Sequence, residues 1–196
     1  VQADNVDADM TDVPVLVHVD CDTDIGETPQ QSGADFRFTA EDGQTLLDHE
    51  MTYVSISSGE TDAKFWVKVP RISASAGAVF YLYYGNATAS DAQNPEGVWE
   101  DYAAVWHLEE NGNGTTGEYA DATANDIDGT GSPAPTRAGG KLHFGQDFEE
   151  SGAQDISLGS GRLGDALDGA DGVTITAWIN PESLASGYAN PLLCQY

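Results

Sequence analysis

Cysteine is nearly absent. Cys21 and Cys194 are the two cysteines in 196 residues, which excludes a disulfide-stapled miniprotein and leaves either one long-range bridge or two buried thiols. Basic residues are also scarce, with 7 Lys and Arg against 33 Asp and Glu. That balance excludes nucleic acid and anionic lipid as partners, because the field of the whole chain repels them. No apolar run approaches the ~20 residues that cross a bilayer as a helix, so this segment is expected not to enter a membrane directly. Three signatures of catalysis are missing: the Gly-x-Ser-x-Gly elbow, the His-Glu-x-x-His zinc helix and the phosphate-cradling glycine loop. The reading is therefore of a chain that is not an enzyme. No signal peptide is visible, and Val1-Gln-Ala-Asp4 reads as a mature end left by cleavage.

What is present is acid and apolar residues. A formal charge of −26 with only three lysines suits a chain from a marine or salt-loving source, where salt screens the self-repulsion. Hydrophobic residues make up 40% of the chain, enough to bury a core and too many for disorder.

The periodicity is that of strands. Val13, Val15, Val17 and Val19 alternate with other residues and give one apolar face, and Pro14, lacking a ladder donor, places this strand at a sheet edge. Phe36-Arg-Phe38 is a short strand followed by the turn Glu41-Asp-Gly-Gln44. Glu50–Ile56 is another strand. In Lys64–Val69, Phe65, Val67 and Val69 point inward and the two lysines outward, and Pro70 is expected to end the strand. The aromatic run Val79–Tyr84 closes the set before Gly85 and Asn86 turn the chain. A polar linker then leads to Trp99–Glu110. In the second half, strands are predicted at Ala104–Leu108, Leu142–Phe144, Ile156–Leu158, Val173–Ile179 and Leu192–Tyr196, while Asp121–Gly140 reads as a loop. The expected fold is all-β, as two β-sandwich domains over residues 1–97 and 98–196.

Four oxygen-bearing side chains, Asp121, Asn125, Asp126 and Asp128, lie within eight residues beside Gly129. That composition suits calcium, a hard cation that takes six to eight oxygen ligands, although Ala124 breaks the EF-hand pattern; the bland alternative is an acidic surface loop. Asp20, Asp22 and Asp24 alternate, which on a regular strand gathers three carboxylates on one face for a cation or solvent to relieve. Trp66 stands between two lysines on the outward face. It reads either as an exposed sugar-stacking platform or as the cover of a domain interface. His18 and His107 read as hydrogen-bonded or solvated, and the pairs Glu109-Glu110 and Glu149-Glu150 as solvated. Asp147 and Glu149 would share a strand face, but nothing else supports the facing carboxylates a glycosidase needs. Asn86-Ala-Thr88 and Asn113-Gly-Thr115 match the N-glycosylation pattern.

Val13-Pro-Val-Leu-Val17, Gly33-Ala-Asp-Phe-Arg-Phe38, Phe65-Trp-Val-Lys-Val-Pro70 and Tyr81-Leu-Tyr-Tyr-Gly-Asn86 together resemble an uncharacterised bacterial and archaeal family known as a domain of unknown function. That family commonly precedes laminin-G-like, concanavalin-A-like domains. Val105-Trp-His-Leu-Glu109 and Val173-Thr-Ile-Thr-Ala-Trp-Ile-Asn-Pro181 look like the opening and middle of such a domain, a jelly roll that the chain carries only in part. Proteins with this pairing include surface proteins, adhesins and proton-channel proteins of the ExbB/TolQ type. The resemblance implies an extracellular or periplasmic, envelope-associated place. The expected function is a binding or adhesive module for a glycan or a cell-surface protein, with calcium as a possible cofactor. The alternative is a structural component of an envelope assembly, either a filament that shares strands or the periplasmic part of a proton-driven machine.

Overall fold

The computed structural model describes residues 1–181. The chain is mostly strand with few helices. Its first half holds β1 (Met10–Asp22), β2 (Arg37–Ala40), β3 (Leu46–Leu47), β4 (His49–Ser57), β5 (Glu60–Ile72) and β6 (Phe80–Tyr83). They make two antiparallel three-stranded sheets, ordered β1-β5-β4 and β3-β2-β6. The chain passes from one sheet to the other at Asp48, between β3 and β4, so the stretch Leu46–Ile56 serves both sheets.

One core joins the two sheets. Phe65 and Val67 of β5, Phe38 of β2 and Phe36 just before it are almost completely buried. Phe65 meets Phe36 edge-on at 4.9 Å and Phe38 at 5.1 Å between ring centroids, the geometry the ring quadrupoles favour. Val13, Val15 and Val17 pack against this core from β1, as the alternation predicts. Pro14 sits in an edge strand, opposite Lys68, where a missing donor costs no ladder bond.

Pro70 does not end β5, which runs on to Ile72. Pairing with β4 has already stopped at His49 and Val67, and the register to β1 skips from Val69 to Arg71. The proline therefore meets a position where neither neighbour needs its N–H. The two lysines point away from the core as expected, yet both are well covered, Lys68 with a side chain only 9% exposed.

After β6 a short helix, α1 (Pro95–Val98), starts on Asn94, whose side chain accepts from Gly97 N. Beyond it come β7 (Thr130–Gly131), β8 (Thr136–Gly139), β9 (Phe144–Asp147), β10 (Ile156–Ser157) and α2 (Arg162–Ala166). β7 pairs with β10 and β8 with β9, so the stretch Asp121–Gly140 is not wholly loop. Among the described residues Ala104–Leu108, predicted as a strand, makes only a single bridge, between Trp106 and Asp121. Leu108 turns to a positive φ of 59° there, which breaks any extended run. Val173–Ile179 is likewise not a strand: it lies outside regular structure with Val173, Ile175 and Ile179 more than half exposed. A strand needs a neighbour to take its backbone bonds, and none of the described strands pairs with it. Leu192–Tyr196 and Cys194 lie outside the described residues.

Candidate functional site

The outer face of the β1-β5-β4 sheet is covered by the chain that follows β6, and Trp66 and His107, two of the residues singled out from the sequence, meet there. Trp66 of β5 lies opposite Glu50 of β4. Its ring packs against Trp99 at 5.2 Å and 64°, and its indole N–H is buried without a partner. Trp66 is thus the covering residue of the two readings, not an open platform. Trp99 is 5% exposed and donates its indole N–H to Glu50 Oε2 at 2.6 Å. His107 Nε2 reaches the same oxygen at 2.9 Å. One buried carboxylate therefore fastens two residues of the crossing segment to β4. Lys68 adds ion pairs with Glu100 and with Asp101 at 3.6 Å, and Tyr53 of β4 packs against His143 at 4.3 Å between ring centroids, the rings tilted by 41°.

Electrostatics reinforce this fastening. Burial alone would lower the pKa of His107, but the bond to Glu50 and the charges of Glu50, Glu109 and Glu110 outweigh it, so the imidazole is held above its ordinary value. Burial also opposes charge on Lys68, and the bond to Glu100 overrides that. Glu109 and Glu110 are not simply solvated as expected. Glu109 lies 3.5 Å from His143 Nδ1. Glu110 accepts from Ala120 N at 3.1 Å, and its other oxygen is buried without a donor. An open cleft of about 290 Å³ runs beside Glu50, His107 and Glu110, reaching Asp121, Thr123 and Asp126.

The loop expected to hold calcium borders that cleft; Asp121 and Asp128 accept from its own chain, while Asp126 lines the cleft. Asp121 is buried and accepts four donors: Val105 N at 2.9 Å, Thr123 N at 3.0 Å, Thr123 Oγ1 at 2.9 Å and Ile127 N at 3.0 Å. Asp128 Oδ1 accepts from Asp121 N, and Asn125 donates to Ala103 O. A calcium ion would have to displace these donors or manage with the oxygens they leave free, mainly on Asp126 and Asp128. A thermal melt in calcium and in chelator, at fixed high ionic strength, tests the calcium expectation, and equal midpoints would leave these acids to their internal donors. A rise of several degrees in calcium would make the loop a cation site after all.

The second acidic cluster is pulled apart by a bulge between Val19 and Asp22, where Cys21 takes a positive φ of 46°. The alternation that would align the three carboxylates is lost there. Asp22 Oδ1 instead caps a turn, accepting from Asp24 N and Ile25 N at 2.8 Å each. Asp20 is mostly exposed, 4.0 Å from His18 Nε2, and Asp24 is exposed. His18 pairs with Asp62 at 3.0 Å. Among the described residues no three His, Cys, Asp or Glu side chains come close enough to share an ion, and no helix is long and apolar enough to cross a membrane.

A second surface was not singled out from the sequence. On the outer face of the β3-β2-β6 sheet, Tyr81 and Tyr83 of β6 are 45% and 48% exposed, and Leu46 of β3 is 64% exposed. Register places Thr39 between Leu46 and Tyr81, and Arg37 beside Tyr83. Phe80 and Leu82, the alternate residues, pack on the core. The signal was the alternation in Val79–Tyr84, but both faces of that strand are apolar enough to be core, so periodicity could not say which one is open.

These observations describe an all-β chain whose buried acid and histidine fasten one segment to another and whose aromatic side chains lie open on a separate sheet. The chain belongs to the DUF2341 family, described as a domain of unknown function, whose profile matches residues 32–130. The match contains β2 to β6 and the fastening residues Glu50, Trp99 and His107, and it continues past the expected boundary at 97/98. No curated protein and no solved structure matches the sequence.

Proposed function

We propose that this chain is a non-enzymatic binding or adhesive module working outside the cytoplasm, with a glycan or a cell-surface protein as partner. The reading is carried by the exposed face of Leu46, Tyr81 and Tyr83, an apolar and aromatic patch on a sheet whose other side is core. In this reading the first half is a β-sandwich domain. Residues 98–196 then belong to a concanavalin-A-like, laminin-G-like domain, as in surface proteins where the family precedes such domains.

An array of glycans and envelope proteins tests the proposal. Saturable binding to one class is expected, and silence across both contradicts it. A second reading, a strand-sharing component of an envelope filament or transport machine, draws on Val173, Ile175 and Ile179, which are exposed and outside any strand. Sedimentation at rising concentration separates the two: a constant monomer favours the binding module, and a growing oligomer favours assembly.

A further inference from the structure

We infer that the outer face of the β3-β2-β6 sheet is a binding site for a neutral polysaccharide, with Tyr81 and Tyr83 as stacking platforms and Thr39 as the hydrogen-bonding group between them and Leu46. The inference rests on the binding-module reading and names its site and ligand class.

Three observations carry it. First, Tyr81 and Tyr83 are two apart on one strand and both exposed. Their side chains leave the same face about 7 Å apart along the strand, a spacing on the scale of successive sugar rings. An aromatic ring offers a pyranose an apolar surface for its axial C–H groups, and the Tyr81 hydroxyl offers a hydrogen bond at the rim, while that of Tyr83 already reaches Gly43 O at 3.5 Å.

Second, Thr39 is 5% exposed, and its hydroxyl is buried with no hydrogen-bond partner among the described residues. Its neighbours on β2, Phe38 and Ala40, face the core, so Thr39 faces outward. Tyr81 and Leu46 flank it directly across the two ladders. A buried hydroxyl without a partner is costly, and a ligand hydroxyl entering between the flanking side chains would satisfy it.

Third, charge selects the ligand. The outward positions of the three strands, Arg37, Thr39, Leu46, Tyr81 and Tyr83, carry no carboxylate, so a cationic partner finds no counter-charge there. An anionic polymer is repelled by the −26 of the chain. The one cation, Arg37, is engaged by the carbonyls of Ala34, Phe36 and Ser90. A ligand with apolar faces, hydroxyls and no charge meets all three conditions.

Affinity electrophoresis of the whole chain, in gels containing xylan, hydroxyethylcellulose or galactomannan with alginate as the anionic control, tests this. Retardation is expected in at least one neutral gel and not in alginate. Tyr81→Ala and Tyr83→Ala should each weaken it tenfold or more, and Thr39→Val severalfold. Phe148→Ala removes an equally exposed aromatic outside this sheet and should change nothing. If an alanine variant fails to fold by circular dichroism, Tyr81→Phe and Tyr83→Phe decide: they keep the stacking face and should lose only the severalfold share of the hydroxyls. Retardation that survives both alanine substitutions overturns the inference and leaves a binding module with its site elsewhere. Retardation in no neutral gel overturns it too; the chain then remains a binding module if it captures an envelope protein on the array, and loses that reading if it does not.

Discussion

Replacing Glu50 by alanine is expected to destabilise the chain by about 3–5 kcal/mol, the usual cost of removing one member of a buried charged pair. Glu50 is 9% exposed, and its Oε2 accepts from both Trp99 Nε1 and His107 Nε2. Alanine leaves the buried Trp99 donor and the partly buried His107 donor without an acceptor and opens space beneath the Trp99 ring. Glu50→Gln keeps an acceptor for Trp99 and should cost less. The two variants differ most in pH dependence. His107 has a raised pKa in the folded chain. Its contribution is therefore fully present below the unfolded value of about 6.5 and is lost as pH rises through the folded value. His49, 3% exposed beside Phe38 and Phe65, has its pKa lowered by burial. Its contribution is present above about 6.5 and is lost as pH falls through its depressed folded value. Denaturant midpoints measured across pH should show both limbs in the parent chain. In Glu50→Gln the alkaline loss due to His107 should shrink while the acid loss due to His49 stays. An unchanged alkaline limb in Glu50→Gln would mean that Glu50 does not hold the imidazole charged.

Asp121→Ala is the second large effect, again about 3–5 kcal/mol, because one side chain satisfies four donors in a buried setting. Three of them are backbone N–H groups, of Val105, Thr123 and Ile127, which stay in place when Asp121 is replaced. The loss should also reach Trp106, whose indole N–H donates to Ile127 O at 2.9 Å. Asp121→Asn tests the account more finely. An amide has one acceptor oxygen where the carboxylate has two, so it can keep about half of the bonds and should cost roughly half as much. Urea unfolding of the two variants gives both numbers. Equal, near-zero effects would mean that these bonds are made to water as readily as to Asp121.

The first half of the fold was largely legible, because strong alternation such as Val13-Val15-Val17-Val19 and Phe65-Val67-Val69 reports burial on one face directly. Pro70 misled because its effect depends on whether a neighbour needs its donor, and that is a property of register. The second half was harder. β7 to β10 are two to four residues long, too short for any period to show, and they pair across Asp- and Gly-rich segments that read as loop. The spacing of acids in Asp121–Asp128 and Asp20–Asp24 was visible, but not what the carboxylates accept. Internal N–H donors occupy Asp121 and Asp22, and the same residue types serve a backbone turn or a cation alike. The reverse held for Trp66 and Tyr81. Both sit on alternating strands, and only the placement of Trp99 over one of them distinguishes a covered ring from an open one.

The most direct test of the binding account is an amide chemical-shift titration of the chain with a neutral oligosaccharide drawn from whichever polysaccharide retards it. The account predicts that shifts concentrate at Arg37–Ala40, Leu46 and Tyr81–Tyr84, and that Glu50, Trp99, His107 and Asp121 stay still. Shifts centred instead on the cleft beside His107 and Asp121, with the tyrosine face silent, would contradict it.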